Sequence, residues 1–289
     1  MNEVAPNVFV ETGYVGVNVG AIRTPKGIVA IDAPSFPRDA RDWAMRLHRL
    51  SQFPIQFLVL TDYHGDRTLN SRWLSAPIIA HQETAVRLTS YDKRYPLAFS
   101  ESLSLRYPNR GREFSGAPVE RAAISFAERM TIFKGGLEIC LLALPGPGIG
   151  NVMVYAPETA VLFTGDIFVT ECHPLPGDGQ IHAWLRTLDQ LAHWPDPIAA
   201  IVPGRGPMCD RTAIPPAQKY LAHLLAQAKE HWLAGRPREE MVRYLPEFIE
   251  QFPLGDVPID WIKRQIRQSL EHAYDEIKLT AVAPETDGH

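Results

Sequence analysis

The chain has 289 residues, 29 Lys plus Arg against 33 Asp plus Glu, a formal net charge of −4 and 45% hydrophobic residues, enough for one large α/β domain or two smaller ones. That balance carries no basic footprint for nucleic acid, and no apolar run approaches the ~18 residues of a membrane span. Met1 to Pro6 lacks a basic stretch followed by an apolar core, so a cytoplasmic protein is expected, and the three scattered cysteines, Cys140, Cys172 and Cys209, fit neither a disulfide framework nor a paired-thiolate zinc module.

Val8–Val10, Gly16–Ile22 and Gly27–Asp32 read as successive strands, with Pro25-Lys26-Gly27 as the hairpin turn between the last two. Arg38–Leu50 places Ala40, Trp43, Ala44, Leu47 and Leu50 at helical spacing. The apolar run Ile55–Leu60 is a strand, and polar side chains crowd the loop Asp62–Arg67 that leaves it. Pro77–Ala80 is a further strand and Glu83–Thr89 starts a helix. Tyr91 to Arg129 turns rich in Arg, Ser and Pro and reads as a loop-plus-helix excursion near the site.

The second half repeats the texture. Thr131–Phe133, Leu137–Leu144, Val152–Tyr155 and Ala160–Phe163 read as strands, the last ending in Thr164-Gly165-Asp166. Gln180–His193 is an amphipathic helix, and Ile198–Val202 is a strand ending at Pro203-Gly204-Arg205-Gly206-Pro207. Strand clusters alternating with helices in two halves predict an α/β fold of two sheets packed face to face with helices outside. From Pro215 to Leu279 the chain reads as helical, with Tyr220, Leu221, Leu224, Leu225 and Ala228 on one packing stripe and Ile262, Ile266, Leu270, Tyr274 and Ile277 on another. The expected organisation is a main domain at 1–214, a helical extension at 215–280 and a frayed tail at 281–289.

The chemistry concentrates in Thr61-Asp62-Tyr63-His64-Gly65-Asp66-Arg67. Carboxylate, imidazole and carboxylate alternate at 62, 64 and 66, so a turning loop can turn them to one side, an arrangement suited to metal capture or acid/base work. No Gly-x-Ser-x-Gly elbow, phosphate-binding Gly-rich loop or dinucleotide fingerprint competes with it.

This loop is similar to the T-H-x-H-G-D-H loop of the metallo-β-lactamase superfamily. Further segments resemble that family in the same order: Asn18-Val19, Gly27–Asp32, Ile79-Ala80-His81, Leu144-Pro145-Gly146, Leu162-Phe163-Thr164-Gly165-Asp166 and Val202–Pro207. The likeness spans residues 4 to 210. Glu171-Cys172-His173-Pro174 through Trp184 resembles the branch of glyoxalase II-like and quinoprotein-associated hydrolases. The resemblance implies a four-layer αββα sandwich, here with a C-terminal helical extension, and a dinuclear zinc or iron site on the loops at one edge.

The chain departs from the pattern where the metals would sit. Asp62 and Arg67 stand where the family loop has histidines, the P-G-H segment becomes Pro145-Gly146-Pro147, and the G-H-G segment becomes Gly204-Arg205-Gly206. His64, Asp66 and Asp166 remain. A guanidinium offers no lone pair and stays protonated, so Arg67 and Arg205 are expected to replace the second cation by pairing with Asp66 or Asp166. The first subsite, Asp62, His64 and Asp166, could hold one iron, manganese or zinc ion, with Asp66 and His64 as the catalytic groups on a bound water.

Two readings stay open. One is an at most mononuclear hydrolase of a small ester, thioester or lactam, with Arg67, Arg205 and His173 facing the substrate. The other is a metal-free, non-catalytic descendant whose arginine-lined pocket binds an anionic small molecule or serves as a scaffold. Neither involves nucleic acid or membrane, and a homodimer is compatible with both. His81 reads as structural, and His182, His193, His223, His231 and His272 as surface residues of helices.

Overall fold

The strands of the first half gather into one sheet whose spatial order follows the sequence. In the computed structural model, which describes residues 1–114 and 117–282, these are β1 (Asn2–Ala5), β2 (Val8–Glu11), β3 (Val19–Thr24), β4 (Gly27–Ile31), β5 (Ile55–Val59), β6 (Ile78–His81) and β7 (Ile124–Phe126). Pairing is antiparallel from β1 to β4 and parallel from β4 to β7. A second sheet runs β12-β11-β10-β9-β8, from β8 (Arg129–Lys134), β9 (Leu137–Ala143), β10 (Val152–Ala156), β11 (Val161–Gly165) and β12 (Ala200–Pro203). Only its β11–β12 pair is parallel.

Parallel neighbours need a crossover, and helices supply it. Helix α1 (Pro37–Leu50) joins β4 to β5, while α2 (Gly65–Thr68), α3 (Gln82–Ser90) and α4 (Leu97–Arg106) follow on the same side of the sequence. α5 (Ile181–Ala192) joins β11 to β12. After them come α6 (Ile214–Leu233), α7 (Leu245–Ile249) and α8 (Ile259–Val282).

Period-two alternation fixes the layers. Val8, Val10, Ile22, Val29, Ile31 and Val59 of the first sheet meet Ile139, Leu141, Val152, Val154, Phe163 and Val202 of the second in a shared inner core. Phe9, Ala21, Ile28, Ala30 and Leu58 point the other way, under Trp43 and Leu47 of α1. Met153, Tyr155, Leu162 and Ile201 face outward beneath Trp184 and Leu188 of α5, Tyr220 and Leu224 of α6 and Ile266 and Leu270 of α8. The architecture is therefore the αββα sandwich, with the C-terminal helices packed on the second sheet.

Three local expectations need correction. Strand β3 starts at Val19, not Gly16, because Gly16 adopts φ 110° and leaves the strand region. Edge strands β1 and β7 were not expected: β1 is largely exposed and β7 has 3 residues, so neither carries a clear apolar alternation. His231 is fully buried, not on the surface. It continues the α6 stripe of Tyr220, Leu224 and Ala228, and its Nε2 lies 2.9 Å from the Pro237 carbonyl. The expected frayed tail lies, from residue 283 onward, outside the described residues.

Candidate functional site

Parallel strands that run together end together, so β4, β5, β11 and β12 deliver their C-terminal residues to one edge of the sandwich. Asp32 follows β4, Thr61 and Asp62 follow β5, Asp166 follows β11, and Arg205 follows β12. Asp32 takes φ 55°, a left-handed turn that an Asp tolerates, and it turns its carboxylate back toward Thr61, whose N–H and hydroxyl it accepts at 2.8 and 2.7 Å. A Cβ at Gly204 would collide with the Asp166 carboxylate; its absence lets the two loops touch.

Arg67 lies at the centre and is fully enclosed. Its Nη1 donates to Asp32 Oδ2 at 2.7 Å and to Thr61 Oγ1 at 2.8 Å. Its Nε stands 3.2 Å from Asp62 Oδ1 and its Nη2 2.6 Å from Asp166 Oδ1, close ionic contacts without hydrogen-bond alignment. Burial by itself would favour losing the proton, but Asp166, Asp62 and Asp32 hold the guanidinium charged even more firmly than usual. Burial, only partly offset by Arg67, pushes Asp32 up to about 6.

Arg205 reaches the cluster from the other sheet and shares Asp166 with Arg67. Its Nη2 donates to Asp66 Oδ2 and Asp166 Oδ2, both at 2.8 Å, and its Nη1 to the Gly16 carbonyl at 2.7 Å. Arg106, from the C-terminal end of α4, adds a third guanidinium 3.2 Å from Asp66 Oδ2. Burial would raise Asp66, yet Arg205, Arg106 and Arg67 bring it down to about 2. Asp166 moves in the same direction: burial opposes ionisation and Arg205 and Arg67 outweigh it. Such carboxylates are poor proton acceptors at neutral pH. Four aspartates against three arginines leave one negative charge on the cluster.

Asp62 is fully buried and accepts the His64 backbone N–H at 2.7 Å. The His64 ring stacks on Tyr63 with centroids 4.6 Å apart, and its Nδ1 lies 3.2 Å from Asp62 Oδ1. Burial disfavours the imidazolium, but Asp62, with Asp66 and Asp166 behind it, raises the pKa on balance. At 35% side-chain exposure, His64 is the most accessible of these groups.

His173 is brought to the same cavity but is engaged elsewhere. Its Nε2 lies 3.2 and 3.3 Å from the Phe248 and Ile249 carbonyls, and its ring packs edge-on against Tyr220 and Phe252. Burial lowers its pKa although the two carbonyls oppose that. His81 caps α3, its Nδ1 accepting the Glu83 N–H at 3.1 Å. Cys172 lines the cavity with a thiol that burial pushes up to about 11, far from a ready nucleophile.

A cavity of about 620 Å³ opens over this floor. His64, Asp66, Asp166, Arg205 and Arg106 form its polar base, and Leu175, Leu254, Val257 and Ile262 are among its apolar walls. Sequence reasoning missed Asp32, Arg106 and Trp261. The first left a signal, a carboxylate ending the wholly apolar run Ile28 to Ile31. The other two left none, being 155 positions apart in the chain.

A divalent ion shared by Asp62, His64 and Asp166 would need the space between the carboxylates. The Arg67 guanidinium fills it, and among the described residues no three His, Cys, Asp or Glu side chains are arranged to hold a metal. The residues present do not fit such an ion.

Residues 12–205 match the family model of the metallo-beta-lactamase superfamily. Similar solved structures include a metallo-beta-lactamase from Pontibacter korlensis, with 17% identity, a TM-score of 0.61, and coverage of 76% of this chain and 97% of that one. A metallo-beta-lactamase family protein from Thermus thermophilus has 19% identity, a TM-score of 0.66, and coverage of 96% and 95%. The sec-alkylsulfatase Pisa1 from Pseudomonas sp. has 16% identity and a TM-score of 0.69, covering 94% of this chain and 49% of that one. No curated protein sequence matches the chain.

Proposed function

Since the chain belongs to the metallo-β-lactamase superfamily, we propose that it is a member that dispenses with the divalent ion and uses the cavity at the sandwich edge to bind a small anionic molecule without hydrolysing it. The carrying observation is Arg67. Its charge is buried among Asp32, Asp62 and Asp166, where it supplies the compensation that those carboxylates would otherwise draw from a cation. An arginine cannot polarise a carbonyl through coordination or acidify a bound water, so this floor lacks the means by which a metal hydrolase makes its nucleophile. Asp66, at a pKa of about 2, is too weak a base to replace it. The cavity keeps the shape of a ligand site, concave, largely apolar and with polar groups at its base.

Metal analysis of protein purified without chelator tests this reading. The expected result is no stoichiometric iron, manganese or zinc, before or after incubation with each ion, and no turnover of ester, thioester or lactam probes. Close to one equivalent of metal that falls in His64→Ala would overturn it and restore the mononuclear hydrolase.

A further inference from the structure

The arginines of the floor are largely committed to carboxylates and carbonyls, which raises the question of which group meets the ligand. Arg67 has no exposed surface, and each of its nitrogens faces a carboxylate. Arg205 spends Nε and Nη2 on Asp166 and Asp66 and Nη1 on the Gly16 carbonyl. Arg106 differs. Only its Nη1 has a carboxylate partner among the described residues, its Nη2 has no hydrogen-bond partner there, its Nε is buried without an acceptor, and its side chain is 15% exposed at the cavity.

The two carboxylates at the base of the cavity show the opposite state. Asp166 is equally exposed, but its Oδ1 faces Arg67 and its Oδ2 faces Arg205. Asp66 has an oxygen to spare, Oδ1, but it is buried out of reach. The surplus at the base of the cavity is therefore in donors, and a ligand that completes it must bring acceptor oxygens.

Arg106 is also held in place for that task. Its guanidinium lies 4.7 Å from the Trp261 ring centroid and 5.3 Å from that of Tyr107. Trp261 belongs to α8, so the C-terminal helix braces a side chain contributed by α4. Stacking of this kind orients the planar fork while leaving its edge open for oxygen atoms. Just beyond, Ile262 of α8 and Leu254 and Val257 of the preceding turn give the cavity an apolar wall.

We propose that Arg106, braced by Trp261, is the head-group-binding residue of this cavity, and that the ligand is an amphiphile with one oxyanion head and an apolar body laid against α8. This rests on the metal-free reading and names the ligand class for it. A charge-assisted contact to the open edge of Arg106 supplies orientation, and burial of the body against Leu254, Val257 and Ile262 supplies most of the affinity.

Calorimetric titration of the full-length protein with octanoate, octanol and octylammonium, each below its micelle concentration, is the test. Octanoate is expected to bind at least ten-fold more tightly than the other two. In Arg106→Gln that preference is expected to vanish through loss of octanoate affinity, with octanol unchanged, and in Trp261→Leu octanoate is expected to weaken more than octanol. Equal binding of the three probes, preference for octylammonium, no binding of any, or an Arg106→Gln protein that keeps its octanoate preference would each overturn the proposal. Far-UV circular dichroism and the melting temperature verify that the variants are folded. Metal content measured on the same preparations separates the two levels: bound metal defeats the metal-free reading whatever Arg106 does, and an indifferent Arg106 in metal-free protein defeats only this inference.

Discussion

The interior and the cavity face of the floor both consist of arginine beside aspartate, and they are built for different ends. In the interior, Arg67 is fully enclosed by Asp32, Asp62 and Asp166, all donated by ends of parallel strands, and its charge is spent inside the protein. At the cavity face, Arg106 sits at a helix end beside two aromatic rings, touches one carboxylate, and keeps donors to spare. The same residue type is a structural counter-charge in one place and a recognition group in the other, and the difference lies in how many acceptors surround it.

The largest effect should come from breaking the floor. Arg67→Met leaves buried Asp32 and Asp62 without their guanidinium and Asp166 with Arg205 alone, and the expected loss is about 3–5 kcal/mol by urea denaturation, against about 1 kcal/mol for Arg106→Gln, whose Asp66 still has Arg205. Equal costs for the two variants would erase the distinction between the interior and the cavity face of the floor.

Metal uptake sharpens the same contrast. Arg67→His with Arg205→His places lone pairs where guanidiniums stood, so zinc retained after dialysis should rise above the wild-type level. Unchanged uptake would mean that the arginines do not stand in the cation's place.

Acid titration probes Asp66, the carboxylate held between Arg205 and Arg106. Asp66 has a folded pKa of about 2 against an ordinary 3.8, so its contribution is present in full above about pH 4 and is lost as pH falls from there toward 2. That contribution is about 2 kcal/mol, and Asp66→Asn should flatten this part of the stability profile. A profile identical to wild type would show that the arginines do not hold Asp66 ionised.

The smallest effect concerns His173, which joins the cavity loop to the carbonyls of Phe248 and Ile249. Its folded pKa is below the ordinary 6.5, so the unfolded chain takes up the proton first and stability declines as pH drops below 6.5. His173→Gln should lose that slope in thermal melts; retention of it would place the titrating group elsewhere.

Much of this molecule was legible beforehand, for identifiable reasons. Strands β2 to β6 and β8 to β12 announce themselves because a face is wholly or partly buried and the apolar period survives in the sequence. Exposed β1 and three-residue β7 leave no such period. His64, Asp66, Asp166 and Arg205 were found because each ends or follows a strand within a short motif. Asp32 is marked only by ending an apolar run, and buried His231 only by lying on the α6 stripe.

The sequence by itself determined the layers and the chemical inventory of the edge, since backbone period and motif order are local properties. It also determined that lone-pair donors are absent at 67, 147 and 205. Only the tertiary structure decided how the charges pair. Arg67 meets Asp32 and Asp166 across 35 and 99 positions, and Arg106 meets Trp261 across 155, through helix and strand ends that converge only when the two sheets pack. A guanidinium's role depends on the acceptors within about 3 Å, a distance that carries no trace along the chain.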